Sequence, residues 1–169
     1  MFHALRELYI NQCPPSTIDG LYTIRFQLVR LEIINSGIFR LCTLIGPDKW
    51  ERSLQLDPIL PPGDAVEIPN SMKWKQLTCF RLSNCGLDQI DKGMHLFPTV
   101  EQLDISYNDI AHVVHLQDCK ELRIANMSYN RIRVLSNLSR VIKNIRKLNL
   151  SYNNIESLDG VSALEYLEM

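Results

Sequence analysis

A chain of 169 residues, 46% apolar and 22% charged, carries enough apolar surface for one ordinary globular domain and too much for a disordered segment. A formal net charge of −1 gives no electrostatic footprint for nucleic acid or an anionic membrane. The opening Met1-Phe2-His3-Ala4-Leu5 lacks a basic stretch followed by a long apolar one, so neither a secretory leader nor a membrane span is expected. Five scattered cysteines, Cys13, Cys42, Cys79, Cys85 and Cys119, are odd in number and flank nothing as a pair, which predicts reduced thiols and a cytoplasmic location.

The first periodic stretch is Leu5-Arg6-Glu7-Leu8-Tyr9-Ile10-Asn11-Gln12-Cys13, continuing through Ile18 and Leu21 to Ile24. Pro14-Pro15 cannot continue a strand ladder and turns the chain away. A second unit begins at Leu28, 23 residues on, and places Ser36 where the first has Cys13. The next begins only at Leu77, 49 residues after Leu28, so about one unit's length has been inserted. Residues 46–73 hold Pro47, Pro58, Pro61, Pro62 and Pro69 with few periodic apolar positions, and are read as an irregular insertion. Within it, Pro58-Ile59-Leu60-Pro61-Pro62 has the spacing of a polyproline ligand, against the plainer reading of a stiff loop. Trp50 is either a partner contact or an anchor for the insertion.

From Leu77 the pattern is regular, with further starts at Val100, Leu122 and Ile145 spaced by 23, 22 and 23 residues. In each unit the fourth and sixth residues are apolar (Leu103 and Ile105, Ala125 and Met127, Leu148 and Leu150) and alternate with polar ones, the mark of a short strand with one buried side. Asn108, Asn130 and Asn153 follow, with Cys13 and Cys85 at the same place in earlier units. An amide there has both donor and acceptor for backbone groups that a strand ladder leaves unpaired, so a structural ladder is expected. Ile110, Ile132 and Ile155, then Val113, Leu135 and Leu158, are expected to point inward as the chain returns under its neighbour.

The pattern is that of the leucine-rich repeat. It predicts an α/β fold: a curved right-handed solenoid over residues 1–169, with parallel strands on the concave face and irregular or short helical segments on the convex side. No polar cap over the terminal apolar faces is visible, which predicts a piece of a longer protein.

Candidate chemistry is sparse. His112, His115 and Cys119 lie close in sequence but lack a fourth ligand of suitable spacing, and Val113 and Leu116 take the inward positions, so no metal site is expected. No nucleophile–base set, phosphate loop or paired acids appear, so no catalysis, cofactor or small-molecule ligand is expected. The sequons at Asn126, Asn137 and Asn149 are read as chance matches, two of them on predicted strands. What remains is the concave face, where Glu7, Tyr9, Arg30, Glu32, Arg81, Gln102, Asp104, Asn126, Lys147 and Asn149 are expected to meet a protein partner. Tyr107, Tyr129 and Tyr152 should form a row at its margin, either as binding residues or as cover for the strand ends.

The opening Leu5-Arg6-Glu7-Leu8, Cys13-Pro14-Pro15, Gly20-Leu21, Ile24-Arg25 and Gln27-Leu28 resembles the leucine-rich region of the serine/threonine-protein kinase 11-interacting protein family. Trp74 three residues before Leu77, Leu82-Ser83, Leu87, and Leu103-Asp104-Ile105-Ser106-Tyr107-Asn108 are also similar to that family. More generally the repeats are similar to those of nischarin, the phosphatase regulators of the Sds type and axonemal dynein light chains. The chain departs from the family at Asn84-Cys85, where Tyr-Asn is usual, and in its longer insertion. The resemblance implies a non-catalytic cytoplasmic scaffold or adaptor whose partner is a serine/threonine protein kinase. The alternative it leaves open is a regulatory subunit docking on a phosphatase or a motor.

Overall fold

The structure is a computed structural model, and the description covers residues 5–18, 20–41, 44, 68–135, 138–161 and 164. Six short strands form one sheet: β1 (Glu7–Asn11), β2 (Arg30–Ile34), β3 (Cys79–Ser83), β4 (Gln102–Asp104), β5 (Ile124–Asn126) and β6 (Lys147–Asn149). They lie side by side in sequence order, and every pair is parallel. Parallel neighbours require a crossover, and the described parts of the return segments hold short turns and no long helix. Among the described residues these segments contain helical turns at Pro15–Thr17, Leu21–Ile24 and Lys92–Leu96, and one α-helical turn, α1 (Leu138–Val141).

Period-two alternation sets the register. Leu31, Phe80, Leu103 and Ala125 are matched across the sheet and all are buried, with Ile33 and Leu82 completing a second inward row. The apolar residues of the return segments close the other side of the core, among them Leu41, Ile90, Leu96, Val100, Leu116, Leu122 and Ile132. An aromatic cluster fills the junction after the insertion: Phe97 lies 4.7 Å from Phe80 and 5.6 Å from Trp74 between ring centroids, and all three are fully buried. Leu8 and Ile10 in β1, Leu148 in β6 and Leu150 just past it are only partly buried, since β1 and β6 each have one strand neighbour.

The polyproline-like stretch, Trp50 and Cys42 lie outside the described residues. The last part of the insertion is within them, and it packs: Ile68 joins the core and Met72 rests against it. Arg25 reaches the same segment, donating from Nε to the Ser71 carbonyl at 3.0 Å while its guanidinium lies 3.8 Å from the ring centroids of both Tyr22 and Phe26.

One inward expectation fails. Leu158 is 65% exposed, whereas Val113 and Leu135 at the matching places are buried. The reason is local: the chain meets the preceding unit through Gly160, whose Cα sits so close to the Leu135 carbonyl that a Cβ has no room, and the turn closed by Val161 N–H to Leu158 C=O leaves Leu158 outside. Replacing Gly160 with alanine is therefore expected to force the last turn off the array, lowering stability by about 1–3 kcal/mol in urea unfolding.

Candidate functional site

Each strand ends in a corner with a fixed backbone. Gln12, Asn35, Asn84, Tyr107, Tyr129 and Tyr152 all have φ between 51° and 56°, the left-handed region that a non-glycine residue enters only when its surroundings hold it there. The corner amides explain the holding: those of Asn35, Asn84, Tyr107 and Tyr129 donate to the carbonyls of Ser83, Ser106, Ser128 and Ser151 in the next unit, at 3.0–3.1 Å. Interstrand bonding thus continues past the strand end.

The following residue pins the corner. Asn108 Nδ2 donates to the carbonyls of Leu82, Ile105 and Ser106 at 2.8, 3.0 and 3.1 Å, and its Oδ1 accepts from the amides of Cys85 and Leu87. Asn130 repeats this with Ile105, Met127 and Ser128 and accepts from Ile110 N–H; Asn153 does so with Met127, Leu150 and Ser151 and accepts from Ile132 N–H. Cys85 and Cys13 occupy the same place with a thiol. Cys85 Sγ lies 3.3 Å from the Ser83 carbonyl and 3.5 Å from that of Ile33, and burial pushes its pKa up. Cys13 Sγ lies 3.6 Å from the Asn11 carbonyl of its own unit, while its amide donates to Ser36 Oγ at 3.3 Å.

The outward side chains of the strands form two rows. Register puts Glu7, Arg30, Cys79, Gln102, Ile124 and Lys147 in the first, and Tyr9, Glu32, Arg81, Asp104, Asn126 and Asn149 in the second. Opposite charges alternate across their centre: Arg30 lies 2.9 Å from Glu32, Arg81 3.7 Å from Glu32 and 3.2 Å from Asp104. The Arg81 Nε is buried and lies off the line needed for a hydrogen bond to Asp104, so charge attraction holds that contact. Arg30, Glu32, Arg81, Gln102, Asp104 and Asn126 come together around an open depression of about 250 Å3. Tyr9, Lys147 and Asn149 lie outside it on β1 and β6. Tyr9 instead donates its hydroxyl to Glu7 at 2.8 Å, and that bond raises the phenol's pKa.

Two residues of this face escape a reading by residue type. Cys79 and Ile124 line the depression too, Ile124 at 39% exposure. Strict alternation from Arg81 and Asn126 puts both outward; cysteine and isoleucine are simply types that usually point inward. Burial raises the Cys79 thiol's pKa against the opposing effect of Arg30, its neighbour in the row. Three face residues also have a structural duty. The side-chain oxygens of Asp104, Asn126 and Asn149 accept the amides of Ser106, Ser128 and Ser151 at 3.0–3.2 Å, closing the turn after each strand.

Beside this face runs a row of stacked rings. Tyr107 and Tyr129 lie 4.2 Å apart with planes 9° apart, and Tyr129 and Tyr152 4.1 Å apart at 12°. The neighbouring Tyr152 hydroxyl, with burial and Tyr107 behind it, pushes the Tyr129 phenol up to about 12. In the earlier units amides continue the row, Asn84 Nδ2 donating to Asn35 Oδ1 at 2.6 Å and Asn35 Nδ2 to Asn11 Oδ1 at 2.9 Å.

The His95 and His115 rings lie edge to face with centroids 5.9 Å apart. His112 is exposed, His115 partly buried, and Cys119 is buried with its thiol directed to the Phe97 carbonyl at 3.5 Å and its pKa pushed up to about 12 by burial. Burial, then the nearby His95, lowers the pKa of His115. Among the described residues no three His, Cys, Asp or Glu side chains gather as a metal would require, and no helix is long and apolar enough to cross a membrane.

A sequence profile described as Leucine Rich repeat matches residues 141–164, the unit that contains β6, Asn153 and Tyr152. This chain therefore contains a leucine-rich repeat region, and its in-order parallel sheet fits the α/β architecture of that repeat, which generally mediates protein–protein interaction.

Proposed function

We propose that the chain is a non-catalytic, cytoplasmic scaffold or adaptor that binds a protein partner across the outward face of β2–β5, as the concave side of a curved solenoid. The observation that carries this reading is the depression itself, where a balanced row of arginines and carboxylates surrounds an exposed isoleucine. Such a surface pairs with complementary charges while burying an apolar anchor, the composition of a docking patch. The stacked tyrosines add rigid aromatic area along its edge. The resemblance of the repeats and of the proline-containing opening favours a serine/threonine protein kinase as the partner.

Affinity capture from cell extract tests this, comparing the natural chain with a Gln102→Arg, Ile124→Arg double variant. Both positions are exposed and β4 and β5 keep their backbone bonds, so folding is expected to survive. Proteins retained by the natural chain, a kinase among them, are expected to be lost from the variant. An unchanged captured set would refute docking on this face.

A further inference from the structure

The connecting segments build a second groove, away from the strands. Residues 112–115 and 117, with 134–135 and α1, border an open groove of about 450 Å3 whose lining includes Val114, Val134, Leu138 and Val141 together with His115 and Arg140. Val134 is 53% and Val114 37% exposed, which leaves branched apolar groups open to water in a concave setting. Among the described residues of the lining there is no aspartate or glutamate. The surrounding sequence extends this bias: between residues 123 and 155 there are seven lysines and arginines and no carboxylate, in a chain whose overall charge is −1. Three of these cations are matched by acids from neighbouring segments, Arg123 by Glu121, Arg131 by Asp109 and Arg133 by Glu156. Arg140 and Lys143 form no ion pair among the described residues.

We propose that this groove docks a short apolar peptide segment bearing acidic side chains, supplied by a partner protein. Apolar side chains of the peptide displace water from Val114, Val134 and Val141, and a carboxylate pairs with Arg140, which has no competing acid among the described residues. A nucleic acid is the poorer match. Its affinity comes from several phosphate contacts along a track, whereas this groove offers one arginine and two histidines among valines and leucines. The inference stands apart from docking on the strand face.

The test is an array of hexapeptides, each with two leucines and four positions drawn from Asp, Glu, Lys and Ser, probed with the full chain and with Arg140→Glu, Val134→Asp and Arg81→Ala variants checked by circular dichroism. A labelled oligouridylate is included as a nucleic-acid probe. Acidic members are expected to be retained over lysine members, with binding lowered about tenfold by Arg140→Glu and by Val134→Asp, and unchanged by Arg81→Ala on the strand face. Equal retention of acidic and basic members, no retention at all, or insensitivity to both groove variants would overturn the proposal. So would tighter binding of the oligouridylate than of every peptide. Loss caused by Arg81→Ala alone would assign the peptide to the strand face and likewise overturn it.

Discussion

Replacing Phe97 with alanine is expected to lower stability by about 3–5 kcal/mol, seen as a large drop in the urea midpoint. The ring is fully buried in the units that follow the insertion: it packs on Phe80 from β3 and against Trp74, the first residue past the insertion. Its backbone is committed as well, accepting the amide of Val100 and the thiol of Cys119, so the surroundings cannot collapse freely into the space left behind. A companion substitution separates volume from polarity. The buried Trp74 indole nitrogen has no hydrogen-bond partner among the described residues, so Trp74→Phe removes an unsatisfied donor along with some volume. It is expected to cost clearly less than Phe97→Ala. Equal losses would show that the cluster does not respond to the size of the space created.

Asn130→Ala is expected to cost about 1–3 kcal/mol. The side chain is 6% exposed, and its removal strands the Ile110 amide and takes one of two donors from each of the carbonyls of Ile105, Met127 and Ser128, which belong to two successive units. The loss therefore falls on the interface between repeats as well as within one. Asn130→Asp sharpens the point. It keeps an acceptor for Ile110 N–H but sets a carboxylate against three carbonyl oxygens, so at neutral pH it is expected to be worse than alanine and to recover as the acid is protonated. Asn153→Ala, in a partly buried copy, should cost less than Asn130→Ala. Thermal melts of the variants at two pH values check all of these, and an unchanged melting temperature for Asn130→Ala would contradict them.

The strands were legible from the sequence because period-two alternation leaves little choice: Leu103 and Ala125 cannot face water without turning Gln102, Asp104 and Asn126 into the core. Several other features were not legible. The exposure of Leu158 depends on Gly160 touching the Leu135 carbonyl, a contact between units that no local pattern announces. Cys79 and Ile124 on the outward face follow from register but run against residue type. The turn-closing role of Asn126 and Asn149 shows only once each oxygen is seen to accept both the amide and the hydroxyl of the serine two residues on. The alternating ion pairs of Arg30, Glu32, Arg81 and Asp104 join three strands and appear only when those strands are laid side by side. The basic bias of residues 123–155 was present in the sequence yet hidden by a net charge near zero.

The central functional claim, docking across the outward strand face, has a built-in reporter. Cys79 lines the depression between Arg30 and Gln102, Cys13 sits partly buried at the corner after β1, and Cys85 and Cys119 are buried. The measurement is the rate of N-ethylmaleimide labelling at each cysteine, followed by peptide mass spectrometry, for the chain alone and with a saturating amount of the captured partner. The account predicts that the partner slows labelling of Cys79 and leaves Cys13 unchanged. Equal Cys79 rates with and without the bound partner would contradict it.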